Sequence, residues 1–525
     1  MAVDIFNVTS PITRVLVANR GEIAVRVIRA CHEEGMAAVA VYSEPDRLAP
    51  HVRDADAALL LGPAPAAESY LDIKKLIAAA KQSGCQAVHP GYGFLSERAA
   101  FAQACTEAGL VFVGPPAQAI RAMGDKTEAR RRMQAAGVPV VPGTAASLRD
   151  PIEARREAKR IGYPVLLKAV AGGGGKGMRL VRAESEVEGG FQAARGEALK
   201  AFGDGSIYIE KYLERPRHIE IQVLADRHGR VIALGERECS IQRRHQKLIE
   251  ESPSVAVSPA LRRRLAEAAT AAAGAVGYVS AGTIEFLLTP SGEFYFLEMN
   301  TRIQVEHPVT ELVYGVDLVR EQLRIAAGQP MRVHGAAAAG GGGGVLQPRG
   351  HAIECRITAE DPSNDFLPAS GVLQYLRVPS GPGVRWDGGV EAGQEVTLFY
   401  DPLLAKLIVW GETRAVAIQR MRRALSELVI VGLPTSQAFH LRVMDDPDFQ
   451  KGAVDITYLE RAGTRVLATT PRPGLERALA VAAALVADEH RDRPPSRLLT
   501  DRPQSSPWIT TSRQEALRGG QDGLE

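Results

Sequence analysis

From Glu298 to Glu306 the even positions Glu298, Asn300, Arg302, Gln304 and Glu306 are all polar, while Met299, Ile303 and Val305 between them are apolar. A period of two puts those five polar side chains on one face of an extended segment. Two β-rich runs, Gly282-Thr-Ile-Glu-Phe-Leu-Leu and Glu293-Phe-Tyr-Phe-Leu-Glu, are joined through Thr289-Pro-Ser-Gly and predict a tight hairpin. With Ser291-Gly292 as a two-residue loop, the ladder sets Glu285 directly opposite Glu298, their carboxylates about 5 Å apart. Like charges so placed repel, and a hard divalent cation such as Mg²⁺ relieves them, taking carboxylate oxygens plus substrate phosphates; Asn300 can complete the oxygen set. The competing reading is a solvated strand face without chemistry, and the Arg302 inside the pattern and the His307-Pro308 that ends it weigh against that.

Residues 14 to 115 follow a different rhythm, short Val/Ile/Leu runs alternating with helical patterns: Arg14-Val-Leu-Val-Ala, then Glu22 to Glu34, then Ala37-Ala-Val-Ala-Val-Tyr. This is the βαβ order of a parallel sheet. Asn19-Arg20-Gly21-Glu22 occupies the first βα turn with a single glycine, which excludes the Gly-x-Gly-x-x-Gly of a nicotinamide site. Val88-His-Pro-Gly-Tyr-Gly-Phe-Leu-Ser-Glu97 is rich in turn formers and reads as a loop, either facing a ligand or purely structural. Between Pro164 and Arg179 a strand runs into Gly172 to Gly175, flanked by Lys168 and Lys176. Adjacent glycines let backbone amides approach an anion. It is no P-loop, because Met178 stands where Ser or Thr should hold the metal; phosphate binding and simple flexibility both remain open from this stretch alone.

Composition narrows the function classes. At 525 residues, with 45% hydrophobic and 24% charged positions, the chain predicts about two to four globular units. A net charge of +2 argues against bulk nucleic-acid binding and for a small-molecule ligand, with Gln242-Arg-Arg-His-Gln-Lys247 as a local anion site. Five scattered cysteines fit buried thiols in a reducing cytosol. No apolar run approaches the roughly 18 residues of a membrane span, and the first residues carry an acid where a signal peptide needs bases. A soluble cytoplasmic protein is expected. Gly335 to Gly344 reads as a flexible surface insertion, and from about Thr464 to Glu525 the Pro/Arg/Ser/Ala composition predicts a tail without a core, save for an amphipathic stretch Leu475 to Val486.

Taken in order, Asn19-Arg-Gly-Glu-Ile-Ala, His89-Pro-Gly-Tyr-Gly-Phe-Leu-Ser-Glu, Met123-Gly-Asp-Lys126, Lys168 with Gly172 to Gly175, Glu210-Lys-Tyr-Leu213, His218-Ile-Glu, Gln242 to Lys247, Glu285, Glu298 through His307-Pro308, and Gly350-His-Ala-Ile-Glu-Cys-Arg356 closely resemble the biotin carboxylase family. The resemblance spans roughly residues 12 to 462. It implies an ATP-grasp ligase of mixed α/β and α+β architecture: a Rossmann-like parallel sheet over 12–123, an ATP-grasp domain over 124–332 with a mobile lid at about 140–212, a C-terminal biotin carboxylase domain over 345–462, and the tail 463–525.

The chemistry so implied joins bicarbonate to biotin at the expense of ATP, through carboxyphosphate. Phosphoryl transfer is chiefly positioning and charge neutralisation. By resemblance Lys126, Lys168, Gly173, Gly174, Gly175 and His245 meet phosphates; Glu210, Lys211 and Leu213 form the adenine hinge, with His218 and Gln242 as further nucleotide contacts; and Glu285, Glu298 and Asn300 hold Mg²⁺ or Mn²⁺. Lys247, Arg302, Gln304 and the Val305 backbone would hold bicarbonate, Glu306 would take its proton, and Arg356 would stabilise the biotin enolate. No Met flanks a Lys, so an Ala-Met-Lys-Met attachment motif is missing and biotin is expected in trans, on a carrier protein, with carboxyltransferase subunits as further partners and a homodimer as the family's usual state. The alternatives are another ATP-grasp enzyme, such as a carboxylate–amine ligase or a carbamoyl-phosphate-type synthetase, and a non-catalytic scaffold that binds nucleotide. Arg356 and the Arg302, Gln304, Glu306 set discriminate against the first, and candidates at every catalytic position weigh against the second.

Overall fold

The computed structural model describes residues 11–144, 146–170, 177–333, 346–468 and 481–485. The glycines Gly173, Gly174 and Gly175, the Ala/Gly insertion and nearly all of the tail lie outside them. The short described stretch 481–485 of the tail is helical.

The N-terminal runs form a five-stranded parallel sheet from β1 (Arg14–Val17), β2 (Ala37–Ser43), β3 (Ala57–Gly62), β4 (Ala87–His89) and β5 (Val111–Phe112), in the order β3-β2-β1-β4-β5. Val15, Leu16 and Val17 are fully buried, as strands covered on both faces must be. The order reverses between β1 and β4, and an open parallel sheet leaves its ligand crevice at that point, outside the carboxyl ends of the strands. The turn at 19–20, with the start of the helix Gly21–Glu33, and the loop 90–97 emerge there together. Asn19 Nδ2 donates to the carbonyls of Pro90 and Tyr92, both at 2.7 Å. Gly91, at φ +60°, lies so close that a Cβ would stand 2.9 Å from that same nitrogen; only glycine fits.

A second, smaller sheet is built from β6 (Val165–Ala169), β7 (Met178–Val181) and β8 (Ile207–Lys211), antiparallel in the order β7-β6-β8. It has a core of its own, in which Leu167, Ile207 and Ile209 pack with Phe191 and Ala194 of the helix Val187–Phe202.

Eight further strands make one antiparallel sheet: β9 (Arg217–Ala225), β10 (Val231–Arg243), β11 (Gln246–Ser252), β12 (Ser280–Leu288), β13 (Phe294–Asn300), β14 (His351–Thr358), β15 (Val384–Gly388) and β16 (Leu403–Gly411), ordered β13-β12-β9-β10-β11-β14-β16-β15. Pairing of β11 with β14, with Glu250 opposite Glu354, carries the sheet without a break from the strands before residue 300 to those after 350. Among the described residues no helix is long and apolar enough to cross a membrane.

The β12–β13 hairpin sets Glu285 opposite Glu298, as the alternation predicts. Its turn is wider than the predicted Ser291-Gly292 loop. Pairing stops at Leu288 and Phe294, and the Thr289 N–H closes a five-residue loop on the Glu293 carbonyl at 2.8 Å. Pro290 has no N–H to extend the ladder. The register is recovered by a β-bulge at Leu297, since Phe286 pairs with Phe296 but Glu285 pairs with Glu298.

Candidate active site

Every predicted site residue that the structure describes lines one cavity of about 1100 Å³, bordered by the small sheet, the eight-stranded sheet and the loops at the ends of β1 and β4. Lys168, Glu210, Lys211 and Leu213 come from the small sheet and its exit. Gln242, His245, Lys247 and His218 come from β9 to β11, and Glu285, Glu298, Asn300, Arg302, Gln304, Val305 and Glu306 come from β12, β13 and the segment after them. Lys126 opens the helix Lys126–Ala135, and Arg356 projects from β14.

A row of side chains crosses four strands, Glu298, Glu285, Glu220 and Arg237, each opposite the next; the first two line the cavity and the last two are fully buried beneath it. Lys247 reaches three carboxylates at once: Glu220 at 2.5 Å, Glu285 at 2.8 Å and Glu306 at 2.7 Å. Burial works against the charge on Lys247, yet these anions hold its pKa well above that of a free lysine. Glu306 also meets the Arg356 guanidinium at 3.0 Å. Burial alone would raise the Glu306 carboxyl, but Lys247, Arg356 and Arg237 hold it far below the usual range, so it is ionised. Arg356 is itself gripped by Glu250, with Nε 2.6 Å from Oε1. Burial pushes Glu250 up to about 7 against the pull of Arg356.

Glu285 accepts from Asn300 Nδ2 at 2.8 Å and Gln304 Nε2 at 2.9 Å and lies 3.0 Å from His218 Nε2. Glu298 has no hydrogen-bond or ion-pair partner among the described residues. Its confined setting and the negative charge of Glu285 raise its carboxyl above the ordinary value. An orphaned carboxylate beside a second one fits a hard divalent cation. Asn300 gives its oxygen to Arg302 at 3.0 Å, so ligation by that oxygen would exchange the two amide contacts. Arg302 is also held by Glu97 at 3.0 Å, and the other oxygen of Glu97 accepts from the Thr301 N–H.

At the nucleotide end, Lys168 Nζ pairs with Glu210 at 3.0 Å and Arg130 with the same carboxylate at 2.8 Å. Lys211 donates to the carbonyls of Gly162 and Tyr163. His245 sits in a two-residue turn between β10 and β11 in which it and Arg244 both have positive φ, 67° and 48°. Neither is glycine, and such conformations cost about 1 kcal/mol or more each, a strain that clusters where a side chain must be aimed.

Several residues of this network are absent from the sequence-based set. Arg237, fully buried, donates to Glu220, to Gln222 and Gln304 at 2.7 Å each, to Thr310 at 2.9 Å and to Thr283 at 3.0 Å. Glu220 and Gln222 were within reach of the same period-two argument, since His218, Glu220 and Gln222 alternate with Ile219, Ile221 and Val223. Replacing Arg237 by Met leaves Glu220 to share Lys247 with Glu285 and Glu306 and takes the donor from Gln222, Gln304, Thr283 and Thr310, so a stability loss of about 3 to 5 kcal/mol is expected in urea unfolding; a loss under about 1 kcal/mol would show the hub to be dispensable.

Glu22, at the start of the helix Gly21–Glu33, accepts from the Tyr92 hydroxyl and lies 3.1 Å from Lys406 Nζ. Burial pushes its carboxyl from 4.5 up to about 7 despite Lys406. Between those two values the native state keeps a proton that the unfolded chain has lost, so Glu22 subtracts stability as pH rises through the window and no more above it. Glu22→Gln cannot titrate. Its melting temperature relative to wild type should therefore rise from about pH 5 to about pH 8, and a flat difference would contradict the assignment.

Three family models match successive parts of the chain. Residues 11–120 match the model of the biotin carboxylase N-terminal domain, 125–334 that of the carbamoyl-phosphate synthase L chain ATP-binding domain, and 354–461 that of the biotin carboxylase C-terminal domain. A biotin carboxylase of Nostoc sp. is 54% identical over 447 residues, 85% of this chain and 98% of the relative. The chain belongs to the biotin carboxylase family. A biotin carboxylase of Haemophilus influenzae is 51% identical over 449 residues, again 85% of this chain and 98% of the relative. The biotin carboxylase domain dimer of Hydrogenobacter thermophilus 2-oxoglutarate carboxylase, solved with MgADP, ADP and bicarbonate, superposes with a TM-score of 0.79 at 47% identity, covering 88% of this chain and 100% of that one. As a member of the biotin carboxylase family the chain is an enzyme, an ATP-grasp ligase that carboxylates biotin with bicarbonate and ATP.

Proposed function

We propose that this chain carries out the first half-reaction of a multi-subunit carboxylase, with Glu306 as the base that activates bicarbonate. One observation carries the assignment: a buried, ionised carboxylate held between Lys247 and Arg356 on the floor of a cavity whose far wall bears Lys168, Glu210 and His245. Bicarbonate enters beside Lys247, Arg302, Gln304 and the Val305 N–H. Glu306 takes its proton, a carbonate oxygen attacks the γ-phosphorus of ATP, and ADP leaves, giving carboxyphosphate. A carboxylate as strongly stabilised as Glu306 is a weak base. Bicarbonate competes with it for the same cations, which raises its basicity when the proton must move.

Lys126, Lys168, His245 and the loop of Gly173, Gly174 and Gly175 meet the phosphates in this reading, and Glu210, Lys211, Leu213, His218 and Gln242 meet the nucleoside. Glu285, Glu298 and Asn300 would hold Mg²⁺ or Mn²⁺, which neutralises phosphate charge when bound. Carboxyphosphate splits into CO₂ and phosphate beside the biotin ureido nitrogen; the phosphate takes the ureido N–H proton, Arg356 stabilises the resulting enolate, and the nitrogen attacks CO₂. Biotin arrives on a separate carrier protein, the carboxyl group passes to a carboxyltransferase partner, and the chain works as a homodimer in the cytoplasm. ADP release from ATP, Mg²⁺ and bicarbonate, with and without free biotin, is the test. Bicarbonate-dependent turnover stimulated by biotin is expected, whereas cleavage indifferent to both would favour another ATP-grasp acceptor.

A further inference from the structure

Gln304, Val305 and Glu306 belong to no strand or helix, so no backbone ladder orients them. The backbone holds them only by long bonds, His307 N–H to the Gln304 carbonyl at 3.3 Å and Val309 N–H to that of Glu306 at 3.4 Å, and two fully buried side chains outside the cavity wall make the shorter ones. His307, the first residue of the helix His307–Tyr314, places Nδ1 2.8 Å from the Gln304 carbonyl oxygen. A carbonyl only accepts, so Nδ1 carries the hydrogen. Burial, reinforced by the positive charge of Lys406, keeps the ring neutral. Lys406 donates from Nζ to the Val305 carbonyl at 2.9 Å and is anchored from behind by Glu22.

A trans peptide is planar, with its C=O and N–H pointing opposite ways. Holding the Gln304 oxygen therefore sets the direction of the Val305 N–H, and holding the Val305 oxygen sets the peptide from which the Glu306 side chain departs. Val305 lines the cavity, and no described residue accepts its N–H. In the sheet Lys406 stands directly opposite Arg356. Neighbouring cations thus secure successive residues, Arg356 the Glu306 carboxylate and Lys406 the carbonyl just before it.

We propose that His307 and Lys406 are positioning residues that clamp the carbonyls on either side of Val305, presetting its N–H for a bicarbonate oxygen without touching the substrate. This rests on the bicarbonate site proposed above. A donor aimed in advance meets the anion without reorganisation at the moment of reaction.

The test compares the bicarbonate KM and the ATP KM of full-length His307→Asn and His307→Gln proteins, read by bicarbonate-dependent ADP release. The Asn amide nitrogen falls where the ring Nδ1 stands and keeps the bond to Gln304; the Gln amide reaches the Nε2 position and loses it. His307→Gln should raise the bicarbonate KM about tenfold, the worth of one hydrogen bond, with the ATP KM within about twofold of wild type. His307→Asn should stay within about threefold on both. A merely structural role would move the two variants together, and equal bicarbonate KM values for them overturn the proposal. If neither variant folds, Lys406→Met reads the other carbonyl: a tenfold rise in bicarbonate KM supports the clamp, and a value within about twofold of wild type overturns it. Wild-type protein that cleaves ATP without needing bicarbonate would instead refute the underlying reading.

Discussion

Glu306→Gln lowers bicarbonate-dependent ATP cleavage by about a thousandfold, within the range that removing a general base costs, and leaves ATP binding intact. The glutamine has nearly the same shape but no charge and no proton affinity. Its amide would also point a donor at Lys247 or Arg356, both of which are donors only. Lys168 and Glu210, which pair with each other across the small sheet, make no contact with Glu306 and keep their geometry. The two quantities to measure are ADP release under saturating bicarbonate and the ATP dissociation constant. Turnover within about tenfold of wild type would remove Glu306 from the role of base.

Arg356→Ala lowers biotin carboxylation by about a hundred- to a thousandfold, the usual cost of losing a cation aimed at a developing oxyanion, and bicarbonate-dependent ATP cleavage by less. The structure adds a complication. Arg356 is the counter-ion of Glu250 and Glu306, and Glu354, across the strand from Glu250, is buried with neither carboxyl oxygen hydrogen-bonded. Burial, against Lys406 and together with Glu250, already holds Glu354 well above its usual value. Taking away the guanidinium leaves these carboxyls crowded, and part of any loss would be a loss of fold. Arg356→Lys separates the two effects, since it keeps the charge but not the planar fork that grips Glu250 and Glu306 together. It should restore the melting temperature without restoring carboxylation. Equal loss of both activities in either variant would argue against the enolate role.

How much of this was readable beforehand depended on whether a polar residue announced itself against its neighbours. The alternation from Glu298 to Glu306 stood out because Met299, Ile303 and Val305 interrupt its polar positions; Glu298 does face Glu285, but through a wider turn and a bulge in place of the expected two-residue loop, and the strand ends at Asn300, so Arg302, Gln304 and Glu306 reach the cavity from an irregular segment that brings Val305 there as well. Asn19 and Arg20, and Pro90 to Glu97, lie in turns as expected, whereas Gly21 and Glu22 already open the helix and His89 ends β4; that the two turns meet at the reversal of strand order needed the sheet. Arg237 was silent because Gly235-Glu-Arg-Glu238 looks like solvated surface, whereas Arg237 is fully buried in the structure. Lys406 was silent for the opposite reason. It is a lone charge in the apolar run Leu403 to Trp410, and nothing along the chain shows that Glu22, from the far N-terminus, lies within 3.1 Å of it.

The bulge at Leu297 acts as a change of phase. In an unbroken strand Phe296 and Glu298 would share a face, yet Phe296 packs in the core beside Phe286 while Glu298 opens into the cavity. One unpaired residue between them reverses the parity, so the same strand serves the core on one side of it and the reaction on the other. Leu297 itself lines the cavity, and as the extra residue it also sets the phase of the strand. Removing it would bring Phe296 and Glu298 next to each other while leaving both opposite their present partners, so this strand can lose a residue there without losing its register.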